Sequence, residues 1–107
     1  MDKINKTVKY NSLFMIYKNL LTDTQRDIMD MYFAYDLSLS EISEERNISR
    51  AAAEDAIKKS MAKLDEYESA LHLYEKRANI LKKTAELKQK VKNTEVLHDI
   101  LDIEKEL

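Results

Sequence analysis

The chain is expected to be all-α, a helix-turn-helix module with a long C-terminal helical extension. Three observations point there. The 107 residues contain no glycine and no proline. β-rich folds seldom lack both, because glycine supplies positive φ in tight turns and proline fixes bends. Leu, Lys, Glu and Ala are abundant, and all four favour helix. Residues 38–64 then follow an order of cap, short helix, αL-tolerant residue, apolar residue and second cap.

The elements follow in chain order. Ile4, Val8, Leu13, Ile16, Tyr17 and Leu20 recur at roughly helical spacing, so residues 3–20 form a first helix. Thr22 with Gln25 makes a capping box, and Asp23 favours the first turn of helix 2. That helix is expected to run to about Tyr35 and to bury Ile28, Met31, Tyr32 and Tyr35. Ser38 with Glu41 is a second capping box, opening a short helix 3 with Leu39 and Ile42 inward. Asn47 tolerates the left-handed conformation, Ile48 plugs the turn, and Ser49 caps helix 4. Two short helices pinned by one buried residue are what a helix-turn-helix needs.

Helix 4 shows no stop signal before about Asn93. Ala53, Ile57, Met61 and Leu64 continue the core face. Beyond them Leu64, Tyr67, Leu71, Tyr74, Ala78, Leu81 and Ala85 form a heptad-like seam suited to another helix. A bend near Ser69–Tyr74 has no marker. Thr94 is expected to cap a last amphipathic helix through Leu97, Ile100, Leu101 and Leu107. The resulting division is 1–74 for the helix-turn-helix domain and 75–107 for the extension.

Composition bounds the function. Hydrophobic residues make up 44 %, enough for a core, and 36 % are charged, which suits thin helical packing with much exposed surface. Without cysteine there are no disulfides and no thiolate metal sites. The first ten residues are polar, and no apolar run approaches the ~20 residues that span a bilayer. A cytoplasmic location is expected, with no membrane insertion. Lysine outnumbers arginine 14 to 4.

Charge is unevenly spread. Residues 1–21 are +3; residues 22–68 hold six basic and twelve acidic residues; residues 76–92 are +6. The module that would face DNA is acidic, and the basic charge lies elsewhere.

At residues 21–74 the sequence resembles the YlxM family of small bacterial helix-turn-helix proteins. The residues that carry this are Leu21-Thr22-Asp23, Tyr32 to Asp36, Leu37-Ser38-Leu39-Ser40-Glu41-Ile42, Ile48-Ser49-Arg50, Ile57-Lys58-Lys59, Tyr67-Glu68 and Leu71-His72. The same segment looks like region 4 of bacterial sigma factors, which implies a winged-helix-like DNA-binding module without a wing. The resemblance implies a regulatory or accessory role in the signal recognition particle pathway, in association with the particle's GTPase, and no catalytic activity. The chain departs from the family after Arg50. Where the family typically has Gln-Ala-Val-Tyr-Asp-Asn, this chain has Ala51-Ala52-Ala53-Glu54-Asp55-Ala56.

Two sets of candidate binding residues follow. On the recognition helix, Ser49 and Arg50 reach phosphates with help from the helix N-terminus, and Lys58, Lys59 and Lys63 approach the backbone further along. Glu54 and Asp55 oppose that use, and they are read as stabilising the first turns through the helix dipole. On the tail, Lys76, Lys83 and Lys90 repeat every seven residues, with Lys82 and Arg77 nearby. That stripe is either a track for RNA or an acidic protein, or a solvated face with Glu86 paired to Lys82 and Lys90. No aromatic interleaves the lysines, so base stacking is not expected.

His72 and His98 are read as surface or boundary residues, not ligands. The aromatic group Tyr10, Tyr17, Tyr32, Phe33 and Tyr35 reads as core filling with hydroxyls at the rim. No phosphate loop or catalytic constellation is present, and neither a metal nor a cofactor is expected. The leading expectation is a non-catalytic accessory protein acting by protein or ribonucleoprotein contact with the signal recognition particle GTPase and its RNA. The alternative is a dimeric transcriptional regulator that binds duplex DNA through Ser49, Arg50, Lys58 and Lys59. A third reading is a protein-interaction module whose helix-turn-helix is vestigial. The exposed seam from Leu64 to Ala85 points to a homodimer through the C-terminal helices.

Overall fold

The computed structural model describes the backbone of residues 2–107 and the side chains of residues 8–107. Those residues form six α-helices and no strand: α1 (Asp2–Tyr17, followed by a 3-10 turn at Lys18–Leu20), α2 (Asp23–Phe33), α3 (Leu39–Arg46), α4 (Arg50–Leu71), α5 (Leu73–Lys90) and α6 (Thr94–Lys105). They make two compact units, one ending at residue 71 and the other spanning residues 72–107.

In the first unit the caps form as the sequence expects. Thr22 Oγ1 accepts from Gln25 N–H at 3.1 Å, and Thr22 N–H in turn donates to the Gln25 side chain. Ser38 and Glu41 do the same at the start of α3. Asn47 is left-handed, with φ 54° and ψ 49°. It lets Ile48 N–H reach back to Ser43 O and Asn47 N–H to Glu44 O, the Schellman pattern that closes a helix. Ser49 Oγ then accepts from Ala52 N–H at 3.0 Å, so α4 starts where expected.

One side of α4 is the wall against which the other helices pack. Ala53, Ile57, Ser60 and Leu64 recur every three or four residues and are all buried. Leu13, Phe14 and Tyr17 from α1, Leu21, Ile28 and Met29 from around α2, and Ile42 from α3 complete the core. Each large apolar side chain removed from water there stabilises the fold by about 1.5–3 kcal/mol. Ser60 keeps its hydroxyl satisfied on Ala56 O at 2.8 Å, and its small size permits close helix approach.

Three tyrosines fasten the edges of this unit. Tyr10 donates to Asp65 at 2.8 Å, Tyr17 to Glu68 at 2.7 Å and Tyr67 to Leu20 O at 3.0 Å. The bond to the Asp65 carboxylate, with partial burial, raises the Tyr10 hydroxyl above its ordinary pKa of 10.0. Phe33 stacks on Phe14 with centroids 6.1 Å apart and meets Tyr32 edge-on at 5.1 Å.

Several expected core positions lie elsewhere. Val8 is exposed, because the inward face of α1 is Leu13, Phe14 and Tyr17, and Val8 sits on the opposite side of the same helix. Leu20 is exposed because the 3-10 turn rotates the chain, and Leu21 is buried in its stead. Tyr35 is exposed because α2 ends at Phe33, and Asp36 then turns left-handed at φ 53°. Ile16, Met31, Tyr32, Leu39, Ile48 and Met61 are half-buried. The Ile4 side chain lies outside the described residues.

Helix 4 does not run to Asn93. It stops at Leu71, and His72 adopts φ 57° and ψ 27° before α5 begins. The break falls three residues before the domain boundary expected from sequence. It also dissolves the expected seam. Leu64 is buried in the first unit, Leu71, Ala78 and Ala85 are not buried, and Leu81 is half-buried.

The second unit is a hairpin of α5 and α6. Asn93, not Thr94, caps α6: its Oδ1 accepts from Glu95 N–H at 2.8 Å and Val96 N–H at 3.3 Å. The inward positions of α5 are Leu81, Thr84 and Lys88, again three and four apart, facing Ile100 and Glu104 of α6. Thr84 Oγ1 lies 2.5 Å from Glu104 Oε2, and Lys88 Nζ donates to Glu104 Oε1 at 3.0 Å. The Thr84 bond first, then the Lys88 bond, holds the Glu104 carboxyl below its ordinary pKa of 4.5.

Two outcomes test this packing. Asn47→Gly keeps the left-handed turn and leaves thermal stability close to that of the parent, whereas Asn47→Val costs about 1–2 kcal/mol by strain at positive φ, read by calorimetry. Because the folded pKa of Glu104 is depressed, its contribution is present above the unfolded value and is lost as pH falls through the folded one. Thr84→Val returns the Glu104 carboxyl towards 4.5 in a carbon-detected NMR titration.

Candidate nucleic-acid interface

The helix-turn-helix presents α3 and the outer side of α4. Ser49 caps α4 and Arg50 is its first residue; neither is buried. Ala51 and Ala52, next along, are exposed as well, so the first turn offers no side-chain amide to a base edge. Among the described residues, Arg50 has no carboxylate within ion-pair distance.

The three lysines of the recognition helix are all engaged. Lys58 pairs with Glu54 at 3.2 Å, Lys59 with Asp55 at 3.0 Å and Lys63 with Glu66 at 3.3 Å. These exposed pairs add little stability. Their effect is electrostatic: residues 50–66 hold four basic and four acidic residues, so the outer side of α4 is neutral. α3 adds Glu41, Glu44 and Glu45 against Arg46, and Arg46 lies 3.7 Å from Asp27 of α2. A phosphate backbone meets no net positive surface here.

Nor do the candidates share one surface. Lys58 and Lys63 are five residues apart, which turns them about 140° from each other around the helix. Lys58 borders a shallow hollow of about 320 Å³ with Tyr32, Leu39, Glu54, Ile57 and Met61. Lys59 and Lys63 border another of about 260 Å³ with Gln25, Ala62 and Glu66. The first hollow has an apolar floor of Leu39, Ile57 and Met61 rimmed by the Glu54–Lys58 pair. Sequence reasoning reads Leu39, Ile57 and Met61 as inward-facing and missed that surface, which exists because Leu39 and Met61 are only half-buried.

On the tail, Lys76, Lys83 and Lys90 are exposed on α5. Lys83 lies 3.5 Å from Glu86, where sequence suggested pairs from Glu86 to Lys82 and Lys90. Arg77 does not belong to the outer stripe: its Nε is shielded from solvent without a hydrogen-bond partner among the described residues. Lys88 is turned inward to Glu104. His72 and His98 are exposed, and His72 Nδ1 lies 3.2 Å from Glu75. No helix among the described residues is long and apolar enough to cross a membrane.

Capped short helix, left-handed asparagine and second capped helix define a helix-turn-helix protein. A family profile described as "Putative helix-turn-helix protein, YlxM / p13 like" matches residues 4–104, well beyond the segment 21–74 that carries the sequence resemblance. The chain belongs to that family. It is 42 % identical over 102 residues to a UPF0122 protein of Halalkalibacterium halodurans, covering 92 % of this chain and 94 % of the relative. It is 47 % identical over 83 residues to one from Oceanobacillus iheyensis, covering 75 % and 79 %. A Bacillus thuringiensis relative is 42 % identical over 96 residues, covering 90 % and 87 %.

The neutral recognition face has a direct test. Glu54→Gln with Asp55→Asn frees Lys58 and Lys59, and is expected to strengthen binding to random duplex DNA. The salt dependence should steepen by about one unit of slope for each further phosphate neutralised, read by fluorescence anisotropy. Unchanged affinity would mean that the two pairs do not govern this face.

Proposed function

We propose that the protein is a non-catalytic accessory protein of the cytoplasmic signal recognition particle pathway, acting by contact with the particle's GTPase. The observation that carries this is the pairing of Lys58, Lys59 and Lys63 with Glu54, Asp55 and Glu66. A helix-turn-helix whose lysines are neutralised on its own helix is a poor duplex reader and a serviceable protein-docking scaffold. The hollow over Leu39, Ile57 and Met61 supports the same reading, since an apolar floor with a charged rim suits an apolar side chain of a protein partner. The pathway comes from the family resemblance; the mode of contact comes from this surface.

Protein contact is preferred to RNA contact through the tail. Lys76, Lys83 and Lys90 are exposed, but α6 of the same unit and its C-cap carry Glu95, Asp99, Asp102 and Glu106, which repel phosphates. The transcriptional-regulator reading rests on Arg50, the one recognition-helix cation without a carboxylate partner among the described residues.

Size-exclusion chromatography with purified signal recognition particle GTPase, with and without its RNA, tests the proposal. Co-elution with the GTPase is expected in both cases. It should survive Arg50→Ala and be lost in Met61→Asp with unchanged helicity. Retention of random duplex DNA instead, abolished by Arg50→Ala and steeply salt-dependent, would overturn it in favour of the transcriptional regulator.

A further inference from the structure

The α5–α6 hairpin leaves one of its faces uncovered. Leu73, Ile80 and Leu87 of α5 and Val96 and Ile103 of α6 are each between 42 % and 53 % exposed. The spacing is seven residues within each helix, so each set forms a stripe. The two stripes lie on the same side of the hairpin. On α5 the stripe is displaced about 80° from the inward direction set by Leu81, Thr84 and Lys88. On α6 it is displaced by a similar angle, and in the same rotational sense, from the direction set by Leu97, Ile100 and Glu104. Two antiparallel helices displaced in the same sense bring their stripes to one common face.

The edges of that face carry opposite charge. Outside the α5 stripe lie Lys76, Lys83 and Lys90, each three residues after an apolar member. Outside the α6 stripe lie Glu95, Asp99, Asp102 and Glu106. All seven are exposed; Lys83 lies 3.5 Å from Glu86 and Asp102 3.6 Å from Lys105 on their own helices, so the edges are set chiefly by Lys76 and Lys90 on one side and by Glu95, Asp99 and Glu106 on the other. The face is therefore an apolar centre with a basic edge along one helix and an acidic edge along the other.

We propose that this face binds a second copy of the same chain, forming an antiparallel four-helix bundle about a twofold axis parallel to the helices. That axis sets α5 of one copy against α6 of the other, so each basic edge meets an acidic edge. A twofold axis across the helices would instead set lysines on lysines. The register follows from the hairpin itself. Thr84 lies opposite Glu104, and the link from Val91 to Asn93 is three residues long. In the bundle Lys83 then comes beside Glu106 of the second copy, and Lys90 beside its Asp99. Ile80, Leu87, Val96 and Ile103 fill the space between the helices. An RNA fits the same face less well, because its phosphates meet the acidic edge as they approach the lysines. This association uses the second unit alone and stands independently of GTPase docking by the first.

Analytical ultracentrifugation of the full chain across the micromolar range tests it. A mass rising from 12.6 kDa towards twice that value is expected. Ile80→Glu and, separately, Ile103→Glu should weaken association about tenfold or more, with helicity retained by circular dichroism. The charge-swapped pair guards against misfolding. Lys83→Glu with Lys90→Glu should be monomeric, Asp99→Lys with Glu106→Lys likewise, and an equimolar mixture of the two should recover the dimer. A monomer at every concentration, a dimer indifferent to all of these changes, or a mixture that stays monomeric would overturn the proposal. A monomer that binds RNA and loses it in Lys83→Glu with Lys90→Glu would assign the face to RNA.

Discussion

The first unit depends on the buried strip of α4. Ala53, Ile57, Ser60 and Leu64 lie along one side of the helix, and α1, α2 and α3 all pack against α4. Two of the four residues are small, so the surrounding helices approach closely, and the bulk of the core is supplied from outside by Leu13, Phe14, Tyr17, Met29 and Ile42. Because α4 commits this side to the core, a partner meets its outer side and the border of the strip, where Ile57 lines the hollow with Leu39 and Met61. That outer side carries the Glu54–Lys58 and Asp55–Lys59 pairs. Fold and function meet on this helix: its register decides which residues are buried and leaves the neutralised lysines facing outward.

The two units are held by different physics. The first has an apolar core with tyrosine hydroxyls closing its edges on Asp65, Glu68 and the Leu20 carbonyl. The second buries Ile100 and Thr84 and otherwise relies on Glu104 receiving Thr84 and Lys88. A two-helix layer cannot cover both of its sides. The uncovered apolar stripes of α5 and α6 follow from that thinness, and a charge pattern that complements itself gives them an outlet in a second copy.

Much of the fold was legible because caps are local. Thr22 with Gln25, Ser38 with Glu41, Asn47 and Ser49 each act over three or four residues, and sequence shows all of them. The break at His72 was not legible. Histidine visits the left-handed region only occasionally, and the flanking residues are good helix formers. Without that break the heptad count runs straight through and places Ala78 and Ala85 in a seam they do not join. On α1 the expected face holds at Leu13 and Tyr17, while helical spacing alone admits the exposed Val8 and Leu20 and passes over the buried Phe14. The inward turn of Lys88 was hidden for another reason: its partner Glu104 is 16 residues away, beyond any local rule. At the candidate interface the pairing of Lys58 and Lys59 was readable, since an acid four residues before a lysine is a helical pair. The hollow over Leu39, Ile57 and Met61 needed three helices in place.

If the outer side of α4 is a neutral protein-docking surface, it does not read duplex DNA. An NMR titration of the isotope-labelled chain with random duplex DNA at low salt decides this residue by residue, because each backbone amide reports separately. No saturable shifts are expected at Ser49, Arg50, Lys58, Lys59 or Lys63. Saturable shifts concentrated at those five residues, and suppressed by added salt, would contradict the neutral-surface reading of α4.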